Sequence, residues 1–531
     1  MTNSHLTTPV LEPPSIRLPV IWCIGGVDSS GGAGITRDAI TLADLNVHAC
    51  VITTQATVQS NSIMLSKESM TASALNQQWQ VLSESTPASA IKIGAIANDE
   101  QALLLCARIR SMDKPRPFVL WDPVIRTSSG GKLSELSEPV VEELLNTVDL
   151  VTPNTQELSW LTRLSIKSED SLPTAAHQLI TKGAHAIYIK GGHANWQAHV
   201  CDTFISPTQT IQFSQPRKET SKLRGTGCML ASAIAAFVVN DYCIEDALTL
   251  ANAYVSQVRH ASCANTAYTL TSQKSSPAYG RCIGFPNNPL CFPSVKFYQR
   301  EHAPSQPSLL SAKQESHVQS QAIERPFPAL TQTDLGLYPV VDSVDWIARL
   351  LPTGVNIIQL RVKHGTQEEI RQQIKEAIAL TKNTHCQLFI NDYWELAIAL
   401  GAYGVHLGQE DIDTANLEAI RQAGLRLGIS THGFAEIQRV RALHPSYIAL
   451  GHIFPTNTKD MPSKPQGVER LRKYVALCEG IPTVAIGGIN LARIADVAKT
   501  GVNSIAVVSA ITQADEPLNA FCKLSKEAGF A

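Results

Sequence analysis

Two α/β domains in tandem are what this sequence predicts, the second of them a closed (β/α)8 barrel. Three observations predict it. The chain has 531 residues, more than one ordinary domain uses. Apolar, β-branched runs alternate with helical patterns in two stretches, near 18–260 and from 327 onward. Between them the alternation fails, and 303–321 (APSQPSLLSAKQESHVQSQ) reads as a flexible linker. The expected domains are therefore 18–298 and 327–525, joined by a linker over 299–326.

Composition narrows the function. Hydrophobic residues make up 44% and charged residues 17%, the balance of a globular protein with large buried cores. The net charge of −2 supplies no global field for nucleic acid or an anionic membrane, so any anion site has to be local. Twelve scattered cysteines form no CxxC pair and read as thiols in a reducing cytoplasm. The polar first seventeen residues contain no signal-peptide core, and no apolar run is long enough to span a bilayer. Small-molecule partners are expected, and a homo-oligomer is left open.

In the first stretch, Val20–Ile24, Ile91–Ile93, Phe118–Trp121 and Ala186–Ile189 are largely apolar, β-branched runs between helical patterns. That pattern predicts a mainly parallel sheet covered on both faces. The run Gly25–Gly34 (GGVDSSGGAG) follows the first strand, where glycines permit close approach to a ligand. It is neither GxGxxG nor a Walker A sequence, and a flexible turn accounts for it equally well. Gly225-Thr226-Gly227-Cys228 opens a helical run, so its backbone N–H groups can stabilise a transferring phosphoryl group. The same field is expected to lower the Cys228 thiol pKa and fit it to act as a base, against the commoner role of a buried structural cysteine. Asp122 and the Asn154–Glu157 turn, at further strand ends, bear on Mg·ATP or are ordinary turns and caps.

In the second stretch eight strands can be counted, near 335–341, 355–361, 386–391, 403–407, 426–430, 446–451, 482–487 and 503–508. Eight βα units in some two hundred residues predict a barrel with its site at the strand C-termini, a doubly wound open sheet being the rival. Polar residues close almost every strand. Gln359, Arg361 and Lys363 alternate onto one face, a ligand face or a solvated one. Asp392 and Asp411 offer a hard-cation site for Mg²⁺, although helix capping explains either. His406 reads as a packing or hydrogen-bonding residue. Ser430 ends the fifth strand, and Gly451–Lys459 (GHIFPTNTK) follows the sixth with hydroxyls, an amide and a lysine. Gly488 after the seventh strand and Ser509 after the eighth fit a barrel phosphate site of backbone amides. No nucleophile is paired with a base, so ionisation of a diphosphate leaving group is expected rather than covalent catalysis.

The series QLRVK, ND, VHLGQED, GIST, YIALGHIFPTNTK, VAIGGI and AVVSAI, in order over 327–515, resembles thiamine-phosphate synthases. Those enzymes join 4-amino-5-hydroxymethyl-2-methylpyrimidine diphosphate to 4-methyl-5-(2-phosphoethyl)thiazole and release diphosphate. The resemblance implies that Gln359, Leu360, Arg361, Val362, Lys363 and Asn391 contact the pyrimidine diphosphate, with Asp392 and Asp411 on Mg²⁺. Ser430 and Lys459 would hold the diphosphate, Thr456, Asn457 and Thr458 the thiazole, and Gly488, Val508 and Ser509 its phosphate. Many members carry a second Asp where this chain has Tyr393.

GGVDSSGGAGITRDA, KIGAI, WDPVI, TPNTQEL, IKGGH and GTGC, over about 20–260, resemble the hydroxymethylpyrimidine/phosphomethylpyrimidine kinases of the ribokinase-like superfamily. This implies an α/β/α domain with Gly225 to Gly227 as anion hole and Cys228 in the catalytic-base position. It also implies pyrimidine contacts from Asp38 and Gln59, and ATP as co-substrate near Asp122, Asn154, Glu157 and Lys190. Pyridoxal kinases share that fold and are the nearest rival, and a catalytically degenerate half serving as a binding module is the rival from another class.

Overall fold

The computed structural model describes residues 18–60, 63–126, 131–192, 194, 196, 198–217, 223–263, 282–299, 325–456 and 463–530. Two compact units are present: 18–207 with 216–286, and 208–215 with 287–530. The expected boundary at 298 thus lies later than the observed division, which follows residue 286. Nearly all of the expected linker, 300–324, lies outside the described residues.

The first apolar runs become the centre of a ten-stranded sheet. Its strands are β1 (Val20–Asp28), β2 (His48–Gln59), β3 (Met64–Ser69), β4 (Ala90–Ile93) and β5 (Phe118–Trp121). They continue as β6 (Leu150–Val151), β7 (Ile187–Ile189), β8 (His199–Ile205), β9 (Gln209–Pro216) and β10 (Ser294–Gln299). The spatial order is β10-β9-β8-β7-β6-β5-β4-β1-β2-β3. The stretch from β2 through β1, β4, β5 and β6 to β7 is parallel. β3 pairs antiparallel with β2, β8 with β7, and β10 with β9. β4 is buried along its whole length, as a strand covered on both faces must be.

Two helices at the carboxyl ends of these strands carry the expected motifs. Gly34–Asp44 leaves the glycine-rich loop after β1, and Thr226–Val239 begins at Gly225. The second is buried from Cys228 through Phe237, so it is a core helix and not an amphipathic cover.

In the second unit the eight counted runs form a closed parallel barrel. They are β11 (Gly336–Val341), β12 (Ile357–Leu360), β13 (Gln387–Asn391) and β14 (Gly404–Leu407). After them come β15 (Arg426–Thr431), β16 (Tyr447–Gly451), β17 (Thr483–Ile486) and β18 (Ser504–Val507). Pairing of β11 with β18, Gly336 opposite Ser504, closes the ring and rules out the open-sheet rival. Leu335, Tyr338, Ile357, Phe389, Tyr447, Val484 and Ala506 fill the interior. Tyr447 fits because Gly428 faces it: a Cβ there would lie 2.1 Å from the ring. No helix of the described residues is long and apolar enough to cross a membrane.

Candidate active sites

In the first unit the sequence-distant motifs converge on the start of the 226–239 helix. Gly225 adopts a left-handed conformation, φ 69°, and a Cβ there would stand 2.3 Å from the Gly32 carbonyl oxygen. Only glycine lets the helix start press against the loop after β1. The first N–H groups of that helix have no intrahelical acceptor and, with the helix dipole, form a site for an anion.

Cys228 lies in that first turn, buried, and a backbone N–H of Gly34 reaches its thiol. The expected lowering of its pKa is not what the structure gives. Burial pushes the thiol up to about 11, and Lys92, which pulls it down, does not offset this against Asp38 and Asp122. Desolvation outweighs the helix field here because the ionised sulfur would have no water.

Asp38 is placed differently from the expectation of a pyrimidine contact. It is 1% exposed, and both its oxygens are engaged, Oδ2 with Lys92 Nζ at 2.8 Å and Oδ1 with Ser232 Oγ at 2.8 Å. Ser232 is one helical turn beyond Cys228, so Asp38 and Lys92 form a buried floor under the helix start. Burial alone would lower the Lys92 pKa, but the charges of Asp38, Cys228 and Asp122 raise it further, and the ammonium persists. Gln59 is half-buried at the end of β2, with its main chain bonded both ways to Ser29 Oγ. Four residues earlier Gln55 is fully buried beside Gly26, and neither of its amide atoms has a partner.

The residues expected near ATP come together. Lys190 Nζ lies 2.6 Å from Asp122 Oδ1 and 3.5 Å from Glu157 Oε2. A Cβ on Gly227 would be 3.5 Å from the same Nζ, so this cation borders the helix start. Asn154 caps the helix Thr155–Thr162 in a reciprocal box with Glu157, which fixes both side chains by the cap interpretation. Burial, reinforced by Asp122 and opposed by Lys190, raises the Glu157 pKa to about 7.

In the barrel the strand C-termini gather the second set. Ser430 Oγ is 2.8 Å from His406 Nε2, and His406 Nδ1 is 2.7 Å from Tyr447 Oη. Tyr447 Oη is 2.9 Å from Tyr338 Oη, which accepts a long 3.5 Å bond from Gln359 Nε2. A chain of hydrogen bonds therefore joins Ser430 to Gln359 through the barrel interior, and His406 is the hydrogen-bonding residue the sequence suggested. Leu360 and Val362 are buried, while Arg361 is half-buried and Lys363 exposed. Asn391 donates to Asp392 Oδ2 at 2.5 Å, and Asp411 Oδ2 accepts from the Gly408 N–H at 2.9 Å.

Gly488 has φ 64°, its carbonyl accepts from Arg493 at 2.8 Å, and Arg493 stacks over Phe454 at 4.7 Å. Val508 and Ser509 sit at the start of a short helix after β18. Thr456 ends the described part of the loop after β16, and Asn457, Thr458 and Lys459 lie outside the described residues.

Sequence reasoning assigned no role to Lys92, Arg224, Tyr338, Tyr447 or Arg493. A signal existed for Lys92, since a single charge inside the apolar run Ile91–Ile93 has to be paired if the strand is buried. Tyr338 and Tyr447 read as core aromatics, and nothing local shows that their hydroxyls meet.

The thiamine monophosphate synthase family model matches residues 333–511, and the phosphomethylpyrimidine kinase model matches 28–271. The thiamine-phosphate synthase of Serratia proteamaculans is 61% identical over 194 residues, covering 36% of this chain and 91% of that protein. Among solved structures, pyridoxal kinase from Staphylococcus aureus with AMP-PCP and pyridoxal is 21% identical, covering 54% of this chain and all of that one, at a TM-score of 0.45. Phosphomethylpyrimidine kinase from Clostridium difficile is 24% identical over 45% of this chain and 99% of that one, at a TM-score of 0.40. The chain thus belongs to the thiamine-phosphate synthase family, with a phosphomethylpyrimidine kinase domain fused ahead of the synthase domain.

Proposed function

We propose that this chain is a bifunctional enzyme of thiamine biosynthesis. Its first domain phosphorylates hydroxymethylpyrimidine and then its monophosphate with ATP. Its second domain condenses the resulting diphosphate with thiazole phosphate to thiamine phosphate, releasing diphosphate. The observation that carries this reading is the pairing itself, because the product of the kinase family is the substrate of the synthase family.

In the kinase, the N–H groups at Gly225 to Cys228 receive the charge of the transferring phosphoryl, and Lys190 borders them from the ATP side. Cys228, as the thiolate, accepts the proton of the hydroxymethyl group as its oxygen bonds to the γ-phosphorus and the β–γ bridging bond breaks, its electron pair leaving with ADP. In the synthase, the bond from the pyrimidine methylene carbon to diphosphate breaks, its electron pair leaving with the oxygen. The thiazole nitrogen then supplies the pair for the C–N bond. Ser430, held by His406, and the cations Arg361, Lys363 and Lys459 stabilise the departing charge.

Asp392 and Asp411 would hold Mg²⁺. The fit rests on their chemistry: they are two hard carboxylates after neighbouring strands, one braced by a backbone N–H, and Mg²⁺ prefers few carboxylates together with waters and phosphate oxygens. The ion would neutralise charge on the diphosphate. The cysteine side chains described are free thiols, in keeping with a reducing cytoplasm.

The acceptor preference tests the kinase reading against its rival. With ATP and Mg²⁺, kcat/KM for hydroxymethylpyrimidine should exceed that for pyridoxal clearly, measured by ADP release. A preference for pyridoxal would replace the kinase assignment.

A further inference from the structure

Accepting both substrates in one site poses an electrostatic problem. Hydroxymethylpyrimidine is neutral, whereas its monophosphate carries roughly −1.5 to −2 charges at pH 7. The second acceptor must approach a helix start already occupied by the donor's γ-phosphate. Like charges so close repel strongly in a site of low dielectric, and a cation on the acceptor side is needed for the second step only.

Among the described residues, four cations lie around this helix start. Lys190 is held by Asp122 and Glu157 on the ATP side. Lys92 is 1% exposed and committed to Asp38 below the helix. Arg37 packs its Cγ against Gly225, and its charge acts on Tyr254 and Cys282. Arg224 immediately precedes the anion hole and points across to the loop after β1. Its Nη1 donates to Ser30 Oγ at 3.1 Å and to the Ser60 carbonyl at 3.3 Å. Its Nη2 lies 3.4 Å from Asp28 Oδ2, with the arginine side chain 10% exposed.

The partners of Arg224 therefore come from the end of β1 and the loop after it, and from Ser60, the neighbour of Gln59, which the resemblance implies at the pyrimidine. Its ion pair is loose. Tight charge-assisted bonds close to about 2.7–2.9 Å, and Asp28 already accepts from the Ser30 N–H and hydroxyl through its other oxygen. The guanidinium is therefore not closed tightly onto Asp28. Its planar fork matches two phosphate oxygens in a way an ammonium does not.

We propose that Arg224 is the specificity-determining residue for the second phosphorylation, pairing with the phosphate that the monophosphate acceptor already carries. An oxygen of that phosphate forms the new bond to the γ-phosphorus. The β–γ bridging bond breaks with its electron pair going to ADP, and Arg224 keeps its protons throughout. The proposal rests on the reading that the first domain takes both acceptors.

The test uses the full chain, with hydroxymethylpyrimidine and its monophosphate assayed as separate acceptors. Arg224→Gln should raise KM for the monophosphate about 10- to 100-fold, the worth of a charge-assisted hydrogen bond, and leave KM for hydroxymethylpyrimidine within about twofold. Arg224→Lys should recover part of the loss. In the unaltered chain, KM for the monophosphate should rise with salt more steeply than that for the neutral acceptor, and Arg224→Gln should remove the difference. Equal losses for both acceptors, or an unchanged KM for the monophosphate, overturn the assignment while the kinase reading stands. An unaltered chain that phosphorylates neither acceptor overturns the kinase reading, and the assignment with it.

Discussion

Cys228→Ala is expected to lower phosphorylation of hydroxymethylpyrimidine by about 100- to 10,000-fold, the usual contribution of a positioned general base. The loss should be much smaller with the monophosphate as acceptor. A hydroxymethyl group has to give up its proton as it attacks, whereas a phosphate with a second pKa of about 6 is already ionised at neutral pH. The backbone N–H at position 228 survives the substitution, so the anion site is retained. The thiol lies up at about 11 in the free enzyme. For the neutral acceptor, log kcat/KM should therefore climb with pH through the neutral and mildly alkaline range, and the alanine variant should lose that slope. Steady-state kinetics on the two acceptors checks both points. Equal losses on both acceptors would make Cys228 a structural residue, and full activity would remove it from the chemistry.

Lys459→Ala is expected to lower condensation by about 100- to 1,000-fold, the scale for losing one preorganised group at a developing charge. Phosphorylation by the first domain should be unchanged. The reason lies in the proposed reaction, whose barrier is set by charge on the leaving diphosphate. The lysine closes the sequence GHIFPTNTK after β16. β16 itself lies between β15, which carries Ser430, and β17, which leads to Gly488. Thiamine phosphate formation from supplied pyrimidine diphosphate and thiazole phosphate is the measurement, with ADP release as the control. Loss of both activities would contradict independent domains, and retention of condensation would leave Arg361 and Lys363 to carry the charge.

The barrel was legible almost residue by residue. Most strands are largely apolar runs buried on both faces, and several end at a polar or glycine residue, as at Asn391 and Gly451. The parallel centre of the first sheet was legible for the same reason. Its margins were not: β3 reads MLSKES and is largely exposed, which leaves no hydrophobic period to find.

In the sites, residue types at strand ends were readable but the balance of forces on them was not. A helix start predicts a lowered thiol pKa, and only the enclosed position of Cys228 reveals that desolvation exceeds it. Asp38 is a pyrimidine contact only as the family resemblance implies; its partners Lys92 and Ser232 lie 54 and 194 residues away in the chain. The Ser430–His406–Tyr447–Tyr338 chain likewise draws on four strands, and no local pattern announces it.

The central claim is that one chain makes the pyrimidine diphosphate and consumes it. Incubating the full chain with hydroxymethylpyrimidine, ATP, Mg²⁺ and thiazole phosphate, and following products by chromatography, tests this most directly. Thiamine phosphate should accumulate with ADP and diphosphate after a transient of pyrimidine diphosphate. Accumulation of pyrimidine diphosphate without thiamine phosphate would contradict the synthase half, and unconsumed hydroxymethylpyrimidine the kinase half.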